Sequence, residues 1–260
     1  MSMAALQQNK KMESKNYILI TGASSGIGEH IAIRLSKNYN LIVNGRNDES
    51  LSKVLEVCAN KENHLKWIHD LDKVEEIETS LREVINSSTA LVEGFVHCAG
   101  FLKMLPLKSI TIGHLQQTMN VNFNAAVVII KTLISKKIND SNLRNVVFIS
   151  STASIRGAKA FNVYSGAKGA LDALMRSLAV ELAPKVRLNS ILPGAIQTKM
   201  TEHMFNDKEL LEKMTKDYPL GLGTPPDIFE MVDFLLSAKS KWITGQQFVV
   251  DGGRSINVSA

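Results

Sequence analysis

Tyr164 and Lys168 stand four residues apart in Tyr164-Ser-Gly-Ala-Lys168, and Ser151 follows the apolar run Val146-Val-Phe-Ile-Ser thirteen residues before the tyrosine. In a helix, positions i and i+4 share one face, so the lysine ammonium would lie beside the phenol. A neighbouring cation favours phenolate and draws the tyrosine down from about 10, towards the range where a side chain works best as acid or base. A serine hydroxyl at the end of an apolar strand would hold the same substrate oxygen. The pentapeptide also fits an amphipathic helix carrying an incidental Tyr and Lys, so the rest of the chain has to decide.

A second constellation lies near the start. Thr21-Gly-Ala-Ser-Ser-Gly-Ile-Gly follows the first apolar run directly and opens a helical pattern. Gly22, Gly26 and Gly28 would let the backbone approach a pyrophosphate, with Ser24, Ser25 and Ile27 around it. Free N–H groups and the positive helix end would stabilise the anion. The spacing GxxxGxG is a variant of the dinucleotide fingerprint. Cofactor choice belongs to the end of the second strand, where Asn44-Gly45-Arg46 offers no carboxylate for a ribose 2′-hydroxyl. Arg46 would pair with a 2′-phosphate, which favours NADP(H) over NAD; the other reading is a solvated loop residue. Asp70, followed by Leu71, either accepts from an adenine amino group or caps the turn Asp70-Leu71-Asp72.

These side chains need a scaffold that brings them together. Short apolar runs alternate with helical patterns: Tyr17-Ile-Leu-Ile-Thr, a helix from about Gly26, Leu41-Ile-Val-Asn, and a helix from about Glu49. Then come Leu65-Lys-Trp-Ile-His, a helix over Val74 to Asn86, Gly94-Phe-Val-His-Cys, and a long helix over Leu115 to Lys137. The strand Val146 to Ser150, a helix over Val163 to Leu182 and the strand Arg187 to Leu192 continue the rhythm. Strict alternation predicts an α/β fold, a doubly wound parallel sheet covered by helices on both faces. Residues 195–220 break the rhythm with the polar, methionine-containing stretch Thr198-Lys-Met-Thr-Glu-His-Met-Phe, read as a substrate lid or as a surface excursion. Thr224-Pro-Pro-Asp starts a helix, and Gln247-Phe-Val-Val-Asp-Gly-Gly gives a last strand and turn.

Composition fits that scaffold and excludes several classes. The 260 residues are 45% hydrophobic and 21% charged, as one large domain requires, here residues 16–260 after a flexible polar leader over 1–15. Cys58 and Cys98 have no CxxC spacing, which argues against a disulfide framework or structural zinc and fits a reducing cytoplasm. No segment has the uninterrupted apolar length of a membrane span, and no metal site is expected. The net charge of +5 and pI near 9.1 are spread without a dense basic block, so a nucleic-acid partner is not expected.

Together these residues resemble the classical short-chain dehydrogenase/reductase family from about Tyr17 to Gly253. The matching motifs are the glycine turn, Asp70, Ala99-Gly100, Asn122, Ser151, Tyr164-Ser-Gly-Ala-Lys168, Pro193-Gly194 with Ile196 and Thr198, and the closing Ile243-Thr-Gly-Gln with Val250-Asp-Gly-Gly. The resemblance implies a Rossmann-type sheet of about seven strands and a catalytic set of Asn122, Ser151, Tyr164 and Lys168. Asn122 would hold a water in a proton relay, and Lys168 would bind the nicotinamide ribose. Ala99, Gly100, Pro193, Gly194, Ile196 and Thr198 would also contact the cofactor. The implied reaction is NADP(H)-dependent reduction of a ketone; the rival is a degenerate cofactor-binding sensor or scaffold.

The tail is most similar to the 3-oxoacyl-carrier-protein reductase branch, which implies a carrier-linked substrate and an assembly of two or four subunits. In one place the chain departs from the family pattern: Asn-Asn-Ala-Gly is replaced by His97-Cys98-Ala99-Gly100. His97, at the end of a buried strand, reads as structural rather than as a catalytic base.

Overall fold

The computed structural model describes residues 16–202 and 208–258. The expected leader over 1–15 and part of the expected lid, 203–207, therefore lie outside the described residues.

Seven short runs rich in β-branched and aliphatic residues form strands: β1 (Asn16–Thr21), β2 (Asn40–Gly45), β3 (Leu65–Ile68), β4 (Leu91–His97), β5 (Asn145–Ile149), β6 (Arg187–Pro193) and β7 (Gln247–Val250). They pair in parallel in the order β3-β2-β1-β4-β5-β6-β7. Because successive side chains point to opposite faces, β1 feeds two cores at once. Tyr17 and Leu19 pack with Phe95, Phe148 and Leu171 on one face, while Ile18 and Ile20 pack with Ile31, Leu35 and Val232 on the other. Covered on both sides, the central strands read as unbroken apolar runs. Each fully buried Leu, Ile or Phe contributes about 1.5–3 kcal/mol over leaving it exposed.

Helices α1 (Gly26–Leu35), α2 (Asp48–Val57) and α3 (Ile77–Ser88) follow the first three strands. The long helix expected over Leu115 to Lys137 is broken into α4 (Ile112–Met119), a π turn over Asn120–Asn124, α5 (Ala125–Leu133) and a single turn, α6 (Lys136–Asn139). The break has a local cause. The Asn122 carboxamide donates to the carbonyl of Thr118, four residues back, at 2.9 Å, taking an acceptor that the regular helix would give to a backbone N–H. π turns of this kind concentrate at functional sites.

The helix α7 (Asn162–Glu181) buries Ala167, Lys168, Leu171, Asp172, Met175 and Ala179, one stripe at helical spacing. A lysine on that stripe is costly to bury and so points to a task other than packing. The helices α8 (Lys208–Asp217) and α9 (Pro225–Leu236) complete the chain before β7. As expected, α9 begins at Thr224, whose N–H and hydroxyl both donate to the Asp227 carboxylate at 2.7 Å, with Pro225 opening the helix.

β1 sits between β2 and β4, so the order in which strands are added reverses there while every strand keeps the same direction. In a doubly wound sheet the carboxyl edge at this point opens the crevice where ligands bind. Among the described residues no helix is long and apolar enough to cross a membrane, and no cluster of His, Cys, Asp and Glu could hold a metal ion.

Candidate active site

The turn from β1 into α1 is shaped by contacts that only glycine permits. Gly22 has φ +65°, and a Cβ there would lie 2.8 Å from the backbone of Ala99; one on Gly28 would lie 2.3 Å from the Gly22 carbonyl oxygen. The turn is thus pressed against the end of β4. Ser25 precedes α1 without a side-chain cap bond, so the first-turn N–H groups have no partner from it. Gly26, Ile27 and Gly28 line a cavity of about 590 Å³ along the carboxyl edge of the sheet. A helix start without a side-chain cap, set on a glycine cradle, is chemically suited to a pyrophosphate, so the residues fit a dinucleotide.

The same cavity runs from Arg46, Asp70 and Leu71 past Ala99 and Gly100 to Ser151, Tyr164 and Lys168. Its far wall carries Pro193, Gly194, Ile196 and Thr198, so all the expected cofactor-contacting residues border one space. Arg46 is largely exposed and sits 3.9 Å from the Asp70 carboxylate, a loose pair that leaves the guanidinium available. Asp70 also caps its own turn, with Oδ1 accepting from the Asp72 N–H at 3.1 Å. Part of the 195–220 segment forms the wall as well: Met200, Thr201, Met214 and Tyr218 face the cavity, and the Tyr218 hydroxyl accepts from the Ala195 N–H at 2.9 Å.

Ser151 caps the turn Thr152–Ser154 by accepting from the Ala153 N–H at 3.1 Å. Lys168 Nζ donates to the Ile149 carbonyl at 2.9 Å and lies 5.7 Å from the centre of the Tyr164 ring. The expected pairing on one helical face is therefore present. Its electrostatic consequence is not. Burial pushes Tyr164 up to about 12, with a hydrogen bond from Ser151 pulling the other way. Burial also brings Lys168 down to about 8, against the favourable charge of Asp172. Desolvation of the phenolate dominates, and the ammonium set over the ring is itself disfavoured as a cation.

Asn122 is held by its own segment and by the loop after β4. It is fully buried and outside the cavity lining. Its Nδ2 donates to the carbonyls of Phe101 and Thr118, both at 2.9 Å, and its Oδ1 accepts from the Phe101 N–H at 3.3 Å. Both amide hydrogens are spent in these bonds, and only the second lone pair of Oδ1 is left to accept from a relay water. Asn120 and Asn124 extend the clamp: Asn120 donates to Asp72 and accepts from Asn124.

His97 is structural, as expected. Thr21 Oγ1 lies 2.9 Å from its Nδ1, and burial lowers it to about 3, with the Lys168 charge acting in the same direction. Cys98 is half-buried, and burial pushes its thiol up to about 12, so it is not a nucleophile.

Sequence reasoning missed the wall beyond Ser151 and Tyr164. Phe161, packed edge-on against the Tyr164 ring at 6.0 Å, is one of its parts; Arg156, Asp217 and Arg254 are others. No local spacing marks them, because they come from three distant segments.

The family model described as enoyl-(acyl carrier protein) reductase matches residues 22–255. A tropinone reductase homolog of Arabidopsis thaliana is 32% identical over 92% of this chain and 75% of that protein. An L-xylulose reductase of Caenorhabditis elegans is 32% identical over 92% of this chain and 96% of its own. A 3-oxoacyl-[acyl-carrier-protein] reductase of Buchnera aphidicola is 30% identical over 92% of this chain and 97% of its own, one relative among several with different substrates. The solved structure of 4-hydroxyisoleucine dehydrogenase complexed with NADH superposes with a TM-score of 0.86 at 25% identity, over 93% of this chain and 99% of that one.

Proposed function

The chain belongs to the short-chain dehydrogenase/reductase family, an NAD(P)-dependent oxidoreductase of alcohol and ketone substrates, and we propose on that premise that it uses NADP(H) to reduce a ketone, with Tyr164 as the acid. One observation carries the reading: Ser151, Tyr164 and Lys168 border the same cavity as the glycine cradle, so a carbonyl at the first group and a dinucleotide at the second occupy one space.

Arg46 supports the choice of NADP(H). No carboxylate ends β2, and a 2′-phosphate is a better partner for the exposed guanidinium than Asp70 at 3.9 Å. When bound, the reduced nicotinamide supplies the hydride. Tyr164 Oη gives its proton to the oxygen of the carbonyl as charge develops there, and Ser151 Oγ donates a hydrogen bond to the same oxygen. A phenol held at about 12 keeps its proton at neutral pH, the form that reduction requires. Lys168, having given one N–H to Ile149, keeps two for the ribose hydroxyls. A carrier-linked 3-oxoacyl group is one substrate of this kind, and the charge of +5 suits an acidic carrier. Self-assembly is supported by Val180, Trp242 and Val249, exposed on α7, beside β7 and on that edge strand.

Tyr164→Phe tests the assignment. Turnover should fall about 100- to 10,000-fold while NADPH binding is kept. Retained turnover would refute the role of Tyr164, and binding without turnover in the wild type would favour the sensor reading.

A further inference from the structure

The reductase reading leaves the class of ketone open, and the wall beyond Ser151 narrows it. Three segments meet there: the loop after β5, the end of α8, and the strap that follows β7. They contribute Arg156, Asp217 and Arg254 to the cavity lining. Arg156 Nη1 donates to the Arg254 carbonyl at 2.6 Å, and Arg254 Nη2 pairs with Asp217 at 2.9 Å, both side chains of that pair being mostly buried. The nearby Asp251 is already occupied, its two oxygens accepting from the N–H groups of Gly253 at 3.0 Å and Ser255 at 2.6 Å.

The wall therefore sets two guanidinium groups beside Asp217, which is paired with Arg254, and near Asp251, whose oxygens are held by main-chain N–H groups. Among the described residues, Arg156 has no carboxylate within ion-pair distance. Both guanidinium charges, and the opposing charge of Asp251, reach the Tyr218 hydroxyl, which also borders the cavity. A half-buried arginine with no counter-ion has lost part of its hydration without an equivalent return. Its planar fork matches a carboxylate through two parallel hydrogen bonds.

We propose that the substrate is an oxo acid, a ketone whose own carboxylate is held by Arg156, with Arg254 fixed beside it by Asp217. The inference rests on the reductase reading. The carboxylate does not react: the ketone carbon takes the hydride, its oxygen takes the Tyr164 proton, and the cofactor leaves oxidised. The two ends of such a substrate are measured off by one rigid loop. Ser151 caps the turn Thr152–Ser154, and the Arg156 N–H returns to the Thr152 carbonyl at 3.0 Å, so the carbonyl-binding serine and the anion-binding arginine move together.

The test measures kcat/KM with NADPH for 3-oxobutanoate, 4-oxopentanoate and 5-oxohexanoate beside their methyl esters, with dihydroxyacetone phosphate as a phosphate control. At least one acid should exceed its ester by about 10- to 100-fold. Arg156→Gln, which keeps an N–H for the Arg254 carbonyl but removes the charge, should bring that acid-to-ester ratio towards one. Arg156→Lys, charged but without the fork, should fall between. Esters reduced as well as acids, a ratio unmoved by Arg156→Gln, or the phosphate preferred to every acid would each overturn the proposal. If NADPH binds and no ketone is reduced, the reductase reading fails first. Calorimetric titration of 4-oxopentanoate into the NADPH-loaded protein then decides the anion site: binding weakened by Arg156→Gln supports it, and no binding, or equal binding in both proteins, overturns it.

Discussion

Replacing His97 by asparagine should flatten the acid limb of this protein's stability. The imidazole is fully buried between Phe95 and Phe148, against Thr21 and within reach of the Lys168 charge. Thr21 Oγ1 accepts from the Ala99 N–H, so its own hydrogen is assigned to Nδ1 and the ring keeps its hydrogen on Nε2, with the main chain of Val121 and Asn122 opposing the effect of burial. A ring held at about 3 in the folded state and near 6.5 in the unfolded chain leaves the unfolded state with more bound protons between those values. Stability is then fully present above pH 6.5 and is lost as pH falls towards 3.

Between pH 7 and pH 5 the loss comes to about 2 kcal/mol, and it would barely change if the folded value were one unit higher. With an m of about 3 kcal/mol/M, the urea midpoint should drop by about 0.6 M more in the wild type than in His97→Asn over that interval. Asparagine cannot titrate, and its carboxamide can still meet Thr21. Some stability lost at pH 7 through the smaller side chain leaves the comparison intact, since only the difference between slopes is read. Parallel profiles for the two proteins, or an NMR titration showing His97 protonated by pH 5, would refute the reasoning.

Two further outcomes concern the cofactor end of the site. Because burial lowers Lys168 to about 8, kcat/KM for NADPH should fall above that pH as the ammonium is lost, and Tyr164 at about 12 should add no second limb below pH 10; a profile level to pH 9.5 contradicts the first, and a second limb below pH 10 the other. Arg46→Asp should move the ratio of kcat/KM for NADPH over NADH towards NADH by about 100-fold, and an unchanged ratio would assign Arg46 to the solvated loop.

What the sequence alone determined is whatever local order encodes. The alternation of apolar runs with helical patterns gave the order of strands and helices to within a few residues, because both periodicities are written in neighbouring positions. The glycine spacing located the cradle, and the four-residue step in α7 brought Tyr164 and Lys168 onto one face. The long helix over Leu115 to Lys137 was only half legible, since its π turn goes with an Asn122 side chain that turns back onto Thr118 and is also held by the Phe101 carbonyl of another segment.

Only the tertiary structure decided the charge states and the far wall of the cavity. Tyr164 rises to about 12 instead of falling, because desolvation sums over every group that excludes water, and no stretch of sequence contains that sum. Arg156 and Arg254 meet across 98 residues of chain for the same reason: the closing of the sheet, with its loops, places them side by side.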